Sequence, residues 1–421
     1  MLSPSSSIAY SPGRSRPSLL ASTIAGLVNL AVVFALVSGL WYVLLHPNGV
    51  YALYTPMYGF SIVVAVVAAI ILMAKVAEFY PLQSLPVADP VRGILFTAIA
   101  VLIAILIVHG VFWNFIGRFG VTYFSPWSIV AAGGVGAEFF NARENASTAI
   151  IYALAAFLWI ALFWTVGFGR WPWSNAGSGV RAWSRFASVA LIATLVYVVL
   201  FHPHVCALFY PAQTMAGVAP WWTAFAQTAS AYFTLGLVLC TVLWIVVSDV
   251  LWEQWPWRLL DRADGPGFAR GAFALVGTIV LSALTAWIAL TAMTAVWMEP
   301  FEGGQYTEAP YFRYLHAGEI AGFGMLGAFV TRAYLDAPLQ RLAFAARLAA
   351  RTLLAAGVGA AAYLFYYSGA GTALLGRVPG IGQPEDTPLV WTLLFIAVVL
   401  CQLEFFRGWP LTRINDEGAR R

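Results

Sequence analysis

A histidine and a carboxylate lie three residues apart in the segment Leu315-His316-Ala317-Gly318-Glu319. On an α-helix this spacing places His316 and Glu319 on one face. The segment belongs to a long apolar run. From the helical rise per residue, Glu319 is predicted about 15 Å from the outer end of that run, close to the midplane of the membrane. It is the one acidic residue that we place so deep. Because a carboxylate in a membrane normally faces a cavity or a partner, we predict a substrate, proton or ion site here.

His109 is predicted to lie at a similar depth on another helix. Helical bundles also present metal ligands as a carboxylate and a histidine three residues apart. The functional interpretation is therefore one site for a proton, an ion or a metal, built from His109, His316 and Glu319. The alternative is structural: Glu319 forms a hydrogen bond to a neighbouring helix. Both interpretations stay open at this point.

A second group of candidate ligands lies in the segment His202-Pro203-His204-Val205-Cys206. Alternating His, His and Cys side chains suit copper or zinc. His46-Pro47 occupies the corresponding place earlier in the chain, which also fits a turn repeated at the membrane interface. The predicted metal ligands are listed together here: His46, His109, His202, His204, Cys206, His316 and Glu319. Copper, zinc and iron are the candidate metals, and no cofactor is assigned.

The composition requires that lipid surrounds most of the chain. Hydrophobic residues make up 61% of the sequence and charged residues 10%, whereas about a quarter of an average soluble domain is charged. The net charge of +4 fits the cytoplasmic retention signal of membrane proteins better than nucleic-acid binding. We expect the lipid bilayer and a small molecule or ion as partners, and no nucleic acid. Assembly with copies of this chain or with a membrane complex stays open.

Ten apolar runs are long enough to cross a bilayer, which takes about 20 residues. Such runs must be helical because lipid cannot satisfy backbone amides. The predicted fold is an all-α membrane protein with about ten transmembrane helices in residues 19–411 and tails at 1–18 and 412–421. Alternate loops and the two tails carry 18 of the 22 Lys and Arg residues. This asymmetry predicts that both termini are cytoplasmic, in a bacterial-type inner membrane.

The ten runs group into five tandem helical hairpins, at about 19–81, 92–172, 183–256, 270–338 and 352–410. Four hairpins end in an aromatic–Pro pair: Tyr80-Pro81, Trp171-Pro172, Trp255-Pro256 and Trp409-Pro410. Proline suits a helix start or the residues just past its end, so the pattern indicates an internal repeat. Pro338–Arg351 is amphipathic and is predicted to lie on the membrane surface.

Three functions agree with these patterns. The first is a transporter or permease for a small molecule or ion with an outward-facing site. The second is a membrane-embedded metal-binding enzyme or subunit with a His/Glu site near the outer leaflet, and the third is an accessory subunit of a membrane complex. The turn Leu208-Phe209-Tyr210-Pro211 resembles hairpin turns of the copper membrane monooxygenase subunits, over that short stretch only and without a full ligand motif. Whether the chain is an enzyme stays open.

Overall fold

The structure is a computed structural model that describes residues 19–53, 56–133, 138–173, 176–201, 229–262, 265–296, 312–376 and 388–410. Within these residues the helices are joined by turns and short loops, and there is no β-strand. The predicted fold class, an all-α membrane protein, is therefore confirmed. The helices form because a chain this apolar must satisfy its backbone hydrogen bonds within each segment.

Ten long helices occupy the predicted runs of the described chain. The first five are α1 (Leu19–Leu40), α2 (Pro56–Ile71), α3 (Asp89–Ile105), α4 (Phe139–Val166) and α5 (Ser178–Leu200). The others are α6 (Ala229–Val250), α7 (Phe268–Val296), α8 (Phe312–Val330), α9 (Phe344–Tyr366) and α10 (Pro388–Leu400). Five continue as π-helix: α1 over Trp41–Leu45, α2 over Leu72–Val76, α3 over Leu106–Ile116, α8 over Thr331–Leu335 and α10 over Cys401–Phe405.

Eight of the described helices are long and apolar enough to cross a membrane, and Thr234–Val250 is a shorter apolar segment. The chain is thus a multi-span helical membrane protein. The total of ten spans and the cytoplasmic position of both termini stay predictions. A short helix, Pro126–Ala132, precedes α4.

The even-numbered helices form a closed inner ring. Around the ring, α2 contacts α4, α4 contacts α6, α6 contacts α8, α8 contacts α10, and α10 contacts α2 again. In an apolar stretch of 18 residues from each helix, 72–78% is buried in α2, α4 and α10. The buried share is 22–28% in α1, α3, α5, α7 and α9. The odd-numbered helices therefore separate the inner ring from lipid, and we call them the peripheral helices.

The peripheral helices follow one contact rule when the helices are counted around the ring, so that α10 precedes α1. Each peripheral helix touches the preceding inner helix and the end of the inner helix three positions earlier. Thus α3 contacts α2 and the end of α10, and α5 contacts α4 and the end of α2. The same rule holds for α1, which contacts α10 and the end of α8. Five hairpins obeying one rule around a closed ring support the predicted repeat as a structural one.

The turns that end the inner helices share one backbone conformation in four hairpins. Two successive residues have positive φ, at Glu78 and Phe79, Gly169 and Arg170, Glu253 and Gln254, and Arg407 and Gly408. An aromatic residue and a cis proline follow in each case. The second residue of each pair donates its N–H to a carbonyl six residues earlier, as Phe79 does to Met73 at 2.8 Å. Left-handed residues are a common end of helices, and here they end four inner helices in the same way.

These loops lie at one end of the ring, together with the arginines that begin the peripheral helices. We call it the basic end. Arg351 is only 2% exposed, and it donates to Asp336 and to the Leu251 carbonyl. The prediction that Pro338–Arg351 lies on the membrane surface is therefore wrong at its C-terminal end. Helix α9 begins at Phe344, and the Asp336 carboxylate and the Leu251 carbonyl accept hydrogen bonds from Arg351 inside the bundle.

Small residues let α8 and α9 approach closely. A Cβ at Gly327 would collide with the carbonyl oxygen of Ala355, whereas a Cβ at Gly357 would meet no atom. We predict that Gly327→Ala lowers the free energy of unfolding by about 1–3 kcal/mol through overpacking. Gly357→Ala serves as the control and leaves stability unchanged or raises it by up to about 1 kcal/mol, because alanine favours the helix. Thermal unfolding in detergent, followed by tryptophan fluorescence, checks both, and equal midpoints would contradict the close contact.

Candidate functional site

The axis of the inner ring contains an apolar cavity of about 70 Å³. Each of the five inner helices lines it, with side chains such as Val64, Ala155, Val242, Met325 and Ile396. We call it the axial cavity. Since about 10–15 Å³ of such space holds one water molecule, the cavity has room for a few waters at most, and its lining is apolar. The ring is thus nearly closed along its axis in this conformation.

A second cavity, of about 30 Å³, lies on the same axis toward the basic end. The two cavities share one lining residue from each inner helix: Ile71, Leu162, Val246, Phe329 and Leu400. We call these five side chains the apolar belt. Hydrophobic constrictions of this kind close pores by excluding water.

The second cavity is lined by four charged side chains, Lys75, Asp249, Arg332 and Glu404, which we call the charged cluster. The Lys75 ammonium lies 2.8 Å from Glu404 Oε1, and the two side chains are only 10% and 18% exposed. Arg332 also pairs with Asp336, and Asp249 accepts a hydrogen bond from Gln254 at 3.1 Å. Both signs of charge therefore meet on the ring axis beside the apolar belt.

Sequence reasoning missed the charged cluster, because Lys75 and Arg332 were counted as loop charges. Glu319 is accordingly not the one deep acidic residue, since Asp249 and Glu404 also line a cavity between helices. The repeat does contain a spacing that could have identified the charged cluster. Lys75, Arg332 and Glu404 each precede the hairpin proline by six residues, and Asp249 precedes its proline by seven.

His316 and Glu319 form a buried pair on α8, as their spacing predicted. His316 Nδ1 lies 2.8 Å from Glu319 Oε2, and its Nε2 lies 3.1 Å from the Tyr363 hydroxyl on α9. His316 is 1% exposed and Glu319 2%. Since α9 supplies the partner tyrosine and the axial cavity is lined from α8 by Met325 and Phe329, the pair lies in the wall of the ring between α8 and α9.

His109 lies elsewhere, in the π-helical continuation of α3. Its Nε2 is 3.2 Å from the hydroxyl of Tyr58 on α2, and its ring packs edge-on against Trp113 at 4.3 Å. The guanidinium of Arg143 lies over the Tyr58 ring at 5.1 Å. His109 therefore belongs to a separate polar group between α2 and α3, away from His316 and Glu319. Depth along a helix was predicted for all three residues, but their position around the ring was not.

His46 holds a turn after α1. Its Nδ1 accepts a hydrogen bond from the Asn48 N–H at 3.0 Å, and its carbonyl accepts one from Gly49. Burial lowers the pKa of the imidazole. These contacts agree with the interfacial-turn alternative at His46. His202, His204 and Cys206 lie outside the described residues, so their predicted roles stay predictions.

The described residues contain no group of three or more His, Cys, Asp and Glu side chains that could hold a metal ion. A catalytic zinc site normally needs three protein ligands. At His316 only Glu319 is such a ligand, and both ring nitrogens already face protein partners. The described part of the chain thus does not fit the predicted centre of His109, His316 and Glu319 for copper, zinc or iron.

Comparison of the chain with protein-family models, with curated proteins and with solved structures gives no match.

Proposed function

We propose that this chain is a membrane permease that passes a small molecule or ion along the axis of its inner ring. The observation that carries the proposal is the closed ring itself, with an axial cavity that continues past the apolar belt to the charged cluster. A ring of helices with polar groups on its axis is the usual geometry of a pathway through lipid, whereas buried charge is costly in purely structural positions.

The apolar belt would serve as the barrier of this permease. Five side chains, one from each inner helix, narrow the axis between the two cavities. Such a constriction stops water and solutes until the helices separate or the lining becomes more polar. The charged cluster next to the belt would close the basic end and would bind the solute once the belt opens.

His316 and Glu319 would bind the coupling proton or ion in the wall of the ring. Chains of acidic residues, histidines and hydroxyls carry protons in many transporters. Here Glu319, His316 and Tyr363 are linked by contacts of 2.8 and 3.1 Å across α8 and α9. Since α8 also lines both axial cavities, a change of charge at Glu319 would act on the pathway through this helix.

Flux through liposomes containing the purified protein tests the proposal. Solid-supported-membrane currents would be recorded for a panel of small cations, anions and neutral solutes. We expect that Val246→Thr, a substitution of equal size in the apolar belt, raises the flux severalfold because the hydroxyl hydrates the constriction.

Val276→Thr is the matched control, because Val276 is 62% exposed on the lipid side of α7. We expect wild-type flux in this variant. Flux that Val246→Thr leaves unchanged would exclude the axial pathway. The permease itself would be excluded if the folded wild-type protein moved no solute of the panel.

A further inference from the structure

Peripheral helices α5, α7 and α9 each carry one buried arginine near their start, at Arg185, Arg270 and Arg351. All three are at most 2% exposed. Each reaches toward the turn that follows the inner helix three positions earlier, as the contact rule of the fold requires. Because the three positions are related by the repeat, the surroundings of each arginine can be compared directly with the other two.

Arg270 and Arg351 have their hydrogen bonds satisfied within the protein. Arg270 donates its Nε to the Gly167 carbonyl at 3.0 Å and its other nitrogens to Val166, Gln254 and Asp261. Arg351 donates its Nε to Asp336 at 2.6 Å and its other nitrogens to Asp336, Glu253 and the Leu251 carbonyl. A buried guanidinium needs acceptors of this number because unpaired buried donors are costly.

Arg185 differs from its two counterparts, because it shares a single carboxylate with two further arginines. Glu78 Oε1 lies 2.5 Å from Arg170 Nη1 and 2.9 Å from Arg185 Nη1. Glu78 Oε2 lies 3.0 Å from Arg181 Nε. The Nε atoms of Arg170 and Arg185 are buried and have no hydrogen-bond partner among the described residues. We call Glu78, Arg170, Arg181 and Arg185 the arginine pocket.

The arginine pocket holds a surplus of positive charge. Burial alone would raise the pKa of Glu78, but the guanidiniums of Arg170, Arg185 and Arg181 outweigh it and lower that pKa. The carboxylate is therefore ionised at neutral pH, and three guanidiniums lie within 3.0 Å of this one carboxylate. The buried Nε atoms of Arg170 and Arg185 can each still donate a hydrogen bond, and the surplus of positive charge favours an anion as the acceptor.

The position of the pocket indicates which anion. It lies at the basic end, between the turns after α2 and α4 and the start of α5. Tyr80 and Trp171 of these two turns are each 37% exposed, as expected for aromatic side chains at the headgroup level. Arginine binds phosphate oxygens through paired N–H groups, and basic pockets between transmembrane helices bind acidic headgroups.

We propose that the arginine pocket binds the phosphate group of an anionic phospholipid headgroup. Arg170 and Arg181, at 18% and 28% side-chain exposure, would contact the headgroup from the surface. Arg185 would contribute its charge from the interior. The same chemistry would accept free phosphate, so the experiment separates the two sources. The proposal does not depend on the permease function.

The test measures lipid binding to the full-length, delipidated protein in detergent. Thermal stabilisation and native mass spectrometry would be recorded with phosphatidylglycerol, phosphatidylcholine and inorganic phosphate as separate probes. We expect phosphatidylglycerol to be retained and to stabilise the protein, with apparent affinity at least tenfold above that of phosphatidylcholine. Arg170→Gln should reduce this preference about tenfold, and Glu78→Gln should keep or increase it because the surplus charge grows.

Arg347→Gln is the matched control. Arg347 lies at the same end, pairs with Glu253 at 3.0 Å, and has a side-chain exposure of 21%, close to that of Arg170. Its Nε is likewise buried without a partner among the described residues. The control therefore differs from Arg170 in the charge around it, because Arg347 and Arg351 face two carboxylates, those of Glu253 and Asp336. Equal affinity for the two lipids would overturn the proposal, as would an Arg170→Gln variant with the wild-type preference. Saturation by inorganic phosphate without any preference among lipids would assign the pocket to a soluble phosphate and overturn the lipid assignment. If Arg170→Gln does not fold, Glu78→Gln decides the test. Loss of the preference for phosphatidylglycerol in that variant would overturn the proposal.

Discussion

Replacing Lys75 with methionine is expected to lower the free energy of unfolding by about 3–5 kcal/mol, the usual cost of removing one partner from a buried ion pair. Lys75 lies 2.8 Å from Glu404 and lines the same cavity as Asp249. Without the ammonium, two carboxylates would face each other across the ring axis with the Arg332 guanidinium as the remaining cation of that cavity. Thermal and denaturant unfolding of the purified protein measures the loss.

The double variant Lys75→Met with Glu404→Leu distinguishes two causes of instability: loss of the ion pair itself, and an unpaired buried carboxylate at Glu404. Removing both partners leaves no unpaired carboxylate at Glu404, and apolar replacements of buried pairs are often close to neutral. We therefore expect the double variant to regain most of the lost stability. The exchanged pair, Lys75→Glu with Glu404→Lys, should also be more stable than either single exchange.

The same variants report on the permease. If the charged cluster closes the basic end, we expect a higher flux through the double variant. The ion pair between Lys75 and Glu404 is then absent from the ring axis, while the fold remains. A Lys75→Met protein as stable as the wild type would show that the ion pair contributes nothing to the fold. Wild-type flux through a stable double variant would show that the charged cluster is not part of the barrier.

The helices could be predicted from the sequence because lipid leaves the backbone few alternatives. Apolar runs such as that of α4 must be helical, and the aromatic–Pro pairs marked where the inner helices end. The boundary of α9 differs from the predicted hairpin start at about 352. Helix α9 begins before Arg351 instead of after it, since Asp336 and Glu253 satisfy that guanidinium inside the bundle.

The ring could not be predicted in the same way. In a soluble protein the apolar face of a helix shows which side is buried. Here the interior and the lipid are both apolar, so an inner helix such as α10 and a peripheral one such as α1 look alike in sequence. Packing then depends on small residues and on buried polar contacts, such as Gly327 against Ala355, which carry no periodic signal.

The candidate site was therefore predicted only in part. The pairing of His316 with Glu319 follows from local spacing, which a helix preserves. His109 was assigned to the same site from its depth, but hydropathy gives no order of helices around an axis. Lys75 and Glu404 lie far apart in sequence, and only the closure of the ring between α2 and α10 brings them together.

Glu319→Gln is expected to abolish proton-driven accumulation while leaving passive exchange of the solute intact. The glutamine side chain has nearly the same shape, and it can still hydrogen-bond to His316 Nδ1, which now lies 2.8 Å from Glu319 Oε2. It cannot gain or lose a proton. The pathway along the ring axis would remain, but the step that links it to the pH gradient would be lost, and we expect accumulation to fall at least tenfold.

Two measurements on the same liposomes separate the effects: accumulation under an imposed pH gradient, and exchange of labelled solute at equal pH. Glu138→Gln provides the control, because Glu138 is an exposed acid at the start of α4 and should behave as the wild type in both. Loss of exchange as well as accumulation in Glu319→Gln would place Glu319 in the pathway or the fold rather than in coupling. Wild-type accumulation would assign it a structural role only.

Glu319→Ala tests the structural contribution of the pair by itself. It leaves His316 Nδ1 without the carboxylate and opens a void in the wall between α8 and α9. The lost partner alone should cost about 1–3 kcal/mol of stability. Tyr363→Phe removes the partner on the other ring nitrogen and should cost less, about 1 kcal/mol, because one neutral hydrogen bond is lost. A stable Glu319→Gln variant without proton-driven accumulation would show that transport depends on the proton of Glu319. An unstable Glu319→Ala variant would show that the fold depends on its hydrogen bond.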